Sequence, residues 1–238
     1  MGPNASSDPS PSASLLRGSL RNVSTFRVEE LRHGFVGAIG EGAEREPSAI
    51  AKVRTAGPLR LDRSGLAGDT VADRRHHGGP EKAVCVYPAV RYAAWRERYG
   101  RALRRPAFGE NLLVAGADEA DTCVGDRIAL GTAVVQVSQP RVPCHKPAVF
   151  TGEARLTSDL VTTGWTGWYL RVLEPGEVRE GDEGRLLERL EGAPSVLRLN
   201  ALRYGEPVDA DALLATAEAP GLLASWRTAL RERATRAG

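Results

Sequence analysis

The chain has 238 residues, 42% of them hydrophobic and 26% charged, which is ordinary for a globular domain and enough for a sizeable core. A formal net charge of +2 gives no ground for a surface that holds nucleic acid or membrane by charge. No apolar run approaches the roughly 18 residues of a membrane-spanning helix. Arg17 interrupts 15-LLRGSL-20, and Cys85, Cys123 and Cys144 lack framework spacing, so reduced thiols and a cytoplasmic location are expected.

Residues 1–14, MGPNASSDPSPSAS, are Ser/Pro-rich with hardly an apolar side chain. Residues 1–30 are therefore expected to form a disordered N-terminal extension, its second half ambiguous. From Phe35 the pattern changes to short strands between Gly, Pro and Asp: 34-GFVGAI-39, 49-AIAKV-53, 83-AVCVY-87, 127-RIAL-130, 133-AVVQVS-138, 168-WYLRV-172 and 176-GEVRE-180. Gly-Asp turns recur beside them, and no βαβ rhythm appears. The expectation for residues 31–190 is a mainly β domain, a barrel or curled sheet.

One helix is predicted inside it, after Pro88, where Val90, Tyr92, Trp95 and Tyr99 recur at helical spacing. Residues 191–238 read as three short helices, 195-SVLRLNALRYG-205, 209-DADALLATAEA-219 and 222-LLASWRTALRERATRA-237. Asp209 is the expected N-cap of the second, and Pro220-Gly221 separates the last two.

Polar chemistry is concentrated in a few segments. In 138-SQPRVPCHKPA-148 the prolines favour extended backbone, and near three-residue periodicity places Arg141 and Cys144 on one side. A guanidinium beside a thiol favours the thiolate; His145 and Lys146 would add to this if they face the same way. In 73-DRRHHGGPEKAV-84, Gly78 and Gly79 make a loop with exposed N–H groups suited to an anion, flanked by His77 and Lys82. His33 and His76 read as surface residues. In 106-PAFGENLLV-114, Asn111 enters a strand and offers both donor and acceptor to a planar heterocycle, or serves only the local turn. Lys52 interrupts the apolar 48-SAIAKV-53, and Trp165 in 164-GWTGWYLRVLEPGEV-178 is a candidate pocket residue. Of 32 basic residues only Lys52, Lys82 and Lys146 are lysine, all within these segments. Cys85 and Cys123, in strand and turn contexts, are expected to be inert.

The stretches PSAIAK (47–52), GLAGD (65–69), HGGPEKAV (77–84), FGENL (108–112), VSQPRVPCHK (137–146) and GWYLRVLEPGEV (167–178) resemble, in order and spacing, the MOSC-domain family. The likeness covers about residues 35–182 and is strongest to its bacterial hydroxylaminopurine-resistance group, whose C-terminal extension the three helices resemble. The resemblance implies a mixed β-barrel, a molybdopterin-type cofactor (molybdenum cofactor), a reactive Cys144, and reduction of N-hydroxylated bases or related compounds. On that reading Cys144 is the metal ligand and Arg141 holds it as thiolate. Lys52, Gly78, Gly79, Lys82 and Arg141 bind phosphate and oxo groups, Asn111 meets the pterin edge, and His77 donates a proton. No flavin or iron–sulfur motif is present, so a separate electron-donor protein is expected. Alternatives are a persulfide on Cys144 for sulfur transfer, and pyridoxal phosphate on Lys52 or Lys82. A DNA-binding tail is disfavoured by Glu232 within the basic run. The helical tail is expected to cap the pocket or to form a homodimer contact.

Overall fold

The computed structural model describes residues 24–205 and 209–237. In chain order it comprises β1 (Ser24–His33), β2 (Gly37–Ile39), β3 (Glu46–Ser48), β4 (Val53–Arg54), β5 (Leu59–Asp62), β6 (Gly65–Leu66), α1 (Arg74–His77) and a 3₁₀ turn (Pro80–Lys82). Next come β7 (Val84–Pro88), α2 (Ala89–Tyr99), β8 (Leu112–Ala115), β9 (Arg127–Leu130), β10 (Ala133–Pro140), α3 (Lys146–Thr151) and α4 (Leu156–Thr163). Then follow β11 (Trp168–Glu174), β12 (Gly176–Val178), β13 (Glu183–Glu188), α5 (Val196–Tyr204), α6 (Ala210–Ala217) and α7 (Ala224–Ala237).

Seven strands close in the order β13-β9-β10-β11-β7-β8-β1, because β1 also pairs with β13. All these neighbours are antiparallel except the parallel pair β7–β8, so the barrel is mixed, as expected. At the closing seam Phe26 lies opposite Gly184, where a Cβ would stand 2.5 Å from the Phe26 ring. Glycine is there for close approach rather than for backbone freedom.

Period-two alternation explains which faces are filled. Val135 and Val137 of β10, Trp168 and Leu170 of β11, and Val84 and Val86 of β7 point into one core. The intervening Tyr87 and Leu113 point outward and are covered by Tyr92 and Trp95 of α2 with Leu156 and Leu160 of α4, a second apolar layer. The three C-terminal helices are continuous with the barrel core through Leu199, Leu213, Trp226 and Leu230. Burying a side chain of this size contributes about 1.5–3 kcal/mol. Asp209 caps α6 as expected, its carboxylate accepting from Ala212 N–H.

Several expectations need correcting. The barrel begins at Ser24, not residue 31, so residues 24–30 are a paired strand; residues 1–23 lie outside the described residues. In β1 a bulge between Val28 and Glu30 shifts the inward set to Phe26, Val28 and Leu31, which hides the alternation. Phe35 and Val36 are exposed, the strand there being only Gly37–Ile39. Residues 49–52 are not a strand: Ile50 N–H donates to Ser48 Oγ and Lys52 N–H to Ile50 O, local bonds that replace a ladder. Val90 is exposed, while Tyr92 and Trp95 are the buried residues of α2. β12 pairs with β5 in a separate three-stranded sheet rather than with the barrel.

Candidate functional site

On the outer wall of the barrel, beside the second apolar layer, the cross-strand partners Cys85 and Tyr169 face a cleft. Loops 48–52, 69–73, 77–82 and 141–146 wall it in, around about 780 Å³ of empty space counting its open mouth. Among the described residues this cleft receives Lys52, His77, Gly78, Gly79, Lys82, Asn111, Arg141 and Cys144.

β10 delivers the thiol segment. Arg141 N–H donates to Gly167 O at 3.1 Å, carrying the β10–β11 pairing one residue past Pro140. The Arg141 side chain is 3% exposed, with Nη2 3.6 Å from Cys144 Sγ and Nη1 buried without an acceptor. Arg141 and Cys144 do share one side, as the proline spacing predicted. Cys144 is half-buried, its carbonyl accepting from Thr157 Oγ1. The next two residues part company. Lys146 lines the cleft and donates to Pro47 O at 2.9 Å, whereas His145 turns outward to pair with Glu46 and contributes nothing to the thiol. Together these contacts fasten the β2–β3 hairpin to the thiol segment.

The Gly-Gly loop faces it. Gly79 has φ +96°, a conformation open to glycine alone, and no atom lies within 4 Å of where its Cβ would stand. The loop is pinned by Ser138 Oγ donating to Glu81 O at 2.5 Å and by Arg171 Nη1 donating to the Glu81 carboxylate at 2.8 Å. Burial lowers the Lys82 pKa, against the opposing pull of Asp73. Burial, and then the charge of Arg141, pushes His77 down to about 4. A value this far below the ordinary imidazole favours the neutral ring and works against the proton-donor role expected of His77. Its Nδ1 lies 3.5 Å from the Tyr169 hydroxyl.

The remaining wall is saturated. Lys52 Nζ forms an ion pair with Asp69 Oδ1, which also accepts from Gly34 N–H at 2.9 Å. Asp69 Oδ2 accepts from Asn111 Nδ2 at 2.9 Å; the same amide group donates to Arg32 O, and Asn111 Oδ1 accepts from Cys85 N–H at 3.0 Å. Asn111 is therefore a strut tying β7, β8 and the Asp69 loop together, not a spare recognition group. Lys52 serves Asp69 rather than standing ready for an anion.

Trp165 is not a pocket residue. It packs edge-on against Trp95 at 5.1 Å and under the Arg91 guanidinium at 4.9 Å. Sequence reasoning missed Asp69, Tyr169 and Cys85 as cleft residues. Asp69 sat in the GLAGD stretch, where a turn reading explained it. Tyr169 and Cys85 declare themselves only through the strand register. Burial pushes the Cys85 thiol up to about 12, which favours the protonated thiol even within the cleft. Cys123 stands apart, bridging to Ser195.

A MOSC-domain model matches residues 73–185, and a YiiM-like 3-alpha-helix-domain model matches 194–234. The chain is 42% identical to YflK of Bacillus subtilis over 79% of its length and 86% of the relative's. It is 35% identical to YiiM of Escherichia coli over 84% of this chain and 90% of that protein. A Gibberella moniliformis protein named Reductase aligns at 34% identity over 73% of this chain, which is 31% of the fungal protein. The crystal structure of YiiM from Geobacillus stearothermophilus superposes with a TM-score of 0.73 at 34% identity, covering 88% of this chain and 99% of the other. On fold and sequence together, the chain belongs to the MOSC-domain family, in its YiiM-like group.

Proposed function

We propose that the cleft binds a molybdopterin-type cofactor and that the protein reduces N-hydroxylated bases or related N-hydroxylated compounds. The observation that carries this reading is the meeting of Arg141, Cys144 and the His77–Lys82 loop in one cleft. The donor set suits the group. Arg141 Nη1 is a buried donor lacking an acceptor, the space above Gly79 admits a phosphate against backbone N–H groups, and a cysteine sulfur is a soft metal ligand. Likeness to part of a fungal protein named Reductase supports the class of reaction.

When bound, the group supplies two-electron redox chemistry. The chain's own residues do the rest. Cys144 holds the metal, and Arg141, 3.6 Å from its sulfur, offsets the charge and fixes the sulfur's direction. Gly78, Gly79 and Lys82 hold the phosphate, while Lys146 narrows the mouth. Neutral His77 donates a hydrogen bond to an oxygen in the cleft instead of surrendering a proton at pH 7. In the net reaction the N–O bond breaks, two electrons and two protons are taken up, and water leaves. The electrons come from a separate donor protein.

The test is to express the protein with molybdate, then measure metal, pterin and reductase activity in the wild type and in Cys144→Ala. Bound molybdenum that disappears with the thiol is expected. Unchanged metal and activity in the variant overturns the reading. The partial exposure of Cys144 also favours a second reading, sulfur transfer through a persulfide; mass spectrometry finding added sulfur on Cys144 would select it. The pyridoxal phosphate reading loses Lys52, which is held in a buried ion pair.

A further inference from the structure

Tyr169 stands on the floor of the cleft, opposite Cys85 across the β7–β11 pair and 6% exposed. Its hydroxyl has one protein partner among the described residues, His77 Nδ1 at 3.5 Å. We propose that Tyr169 is a positioning residue: its O–H donates to Nδ1, so the His77 proton sits on Nε2, and that N–H is presented to the cleft as a fixed donor to an oxygen acceptor.

The direction follows from the phenol: among the described residues its O–H meets no acceptor other than Nδ1. A neutral imidazole has one donor and one acceptor nitrogen, so a ring accepting at Nδ1 donates at Nε2. Burial holds the phenol above its ordinary value, so Tyr169 keeps the proton it donates. Burial is the main reason that the ring favours its neutral form, and the cations around it act the same way: Arg141 from the thiol segment, Lys146 from α3 and Lys82 from the 3₁₀ turn. Asp73 is the opposing carboxylate. Nε2 has no protein acceptor among the described residues, while the ring lines the cleft. The His77 main chain is anchored by its N–H donating to Asp73 O at 2.9 Å.

This inference rests on the proposed function only for which oxygen is met, a phosphate, an oxo group or the substrate's N–O oxygen. The tautomer belongs to the protein without ligand and is tested there. Long-range proton–nitrogen spectra of the full-length, metal-free, ¹⁵N-labelled protein at pH 7 resolve both nitrogens of the four histidines, with His77→Gln giving the assignment. In the wild type Nε2 is expected in the protonated range and Nδ1 in the unprotonated range. In Tyr169→Phe the excess of that tautomer should fall by about fivefold, the factor one ordinary hydrogen bond carries. Adding inorganic phosphate to the wild type should move the Nε2 signal more than the Nδ1 signal. A proton on Nδ1 in the wild type, or a Tyr169→Phe spectrum identical to it, overturns the assignment. If Tyr169→Phe does not fold, the wild-type tautomer and its response to phosphate still decide: phosphate moving neither nitrogen also overturns it. Failure of the molybdenum reading would appear in metal content and leave these spectra unchanged.

Discussion

Two walls of one cleft differ in what their polar groups have left to give. On the Lys52–Asp69–Asn111 wall, the cation faces a carboxylate and the amide meets three protein partners. On the Arg141–Cys144–His77 wall, Arg141 Nη1 and His77 Nε2 reach no protein acceptor among the described residues. Lining a cleft does not make a residue a ligand. The first wall holds shape, and the second is where an outside molecule gains bonds that the protein does not already make.

The contrast breaks most sharply at Cys144. Cys144→Ala should lose bound metal and reductase activity by about 100-fold or more, with stability within about 0.5 kcal/mol of wild type, read by metal analysis and thermal melting. Asp69→Ala should do the reverse. It leaves Lys52 charged and buried without its partner, at a cost of about 3–5 kcal/mol and a melting temperature lower by on the order of 10 °C. If both variants merely lose activity at equal stability, the two walls are not distinct. Arg141→Lys keeps the charge and loses the planar fork, so bound metal should fall by about tenfold at near-constant fold content.

His77 gives a pH test with a definite sign. The unfolded imidazole binds its proton near pH 6.5 and the folded one only near 4. Stability is therefore full above pH 6.5 and is lost as pH falls towards 4, because the unfolded state binds the proton first. Melting curves across that window should drop more for wild type than for His77→Gln, and phosphate should restore part of the wild-type loss. The smallest effect belongs outside both walls: His145→Ala removes an exposed pair with Glu46 and should cost less than about 1 kcal/mol.

The barrel, its helical insertion and the three closing helices were legible in the sequence because alternation, Pro88 and the Asp209 cap act locally. β1 was not, since its bulge breaks the alternation. That His77, Lys82, Arg141 and Cys144 share a site was implied by the family resemblance; glycine and proline chemistry spoke only for each of the two loops by itself. The passive role of Asn111 was not legible, because its partners Asp69, Arg32 and Cys85 come from distant stretches of chain. Nor was the neutral state of His77, which depends on burial and on a guanidinium brought in by another strand.

The seam where Phe26 lies over Gly184 has a consequence for synthesis. Strand β1 leaves the ribosome before the other barrel strands but finds its second barrel neighbour only when β13 has emerged, so the ring of hydrogen bonds cannot be completed on a partial chain. Until then one edge of the sheet stays open, which predicts slow final closure and a need for protection against pairing with other nascent chains.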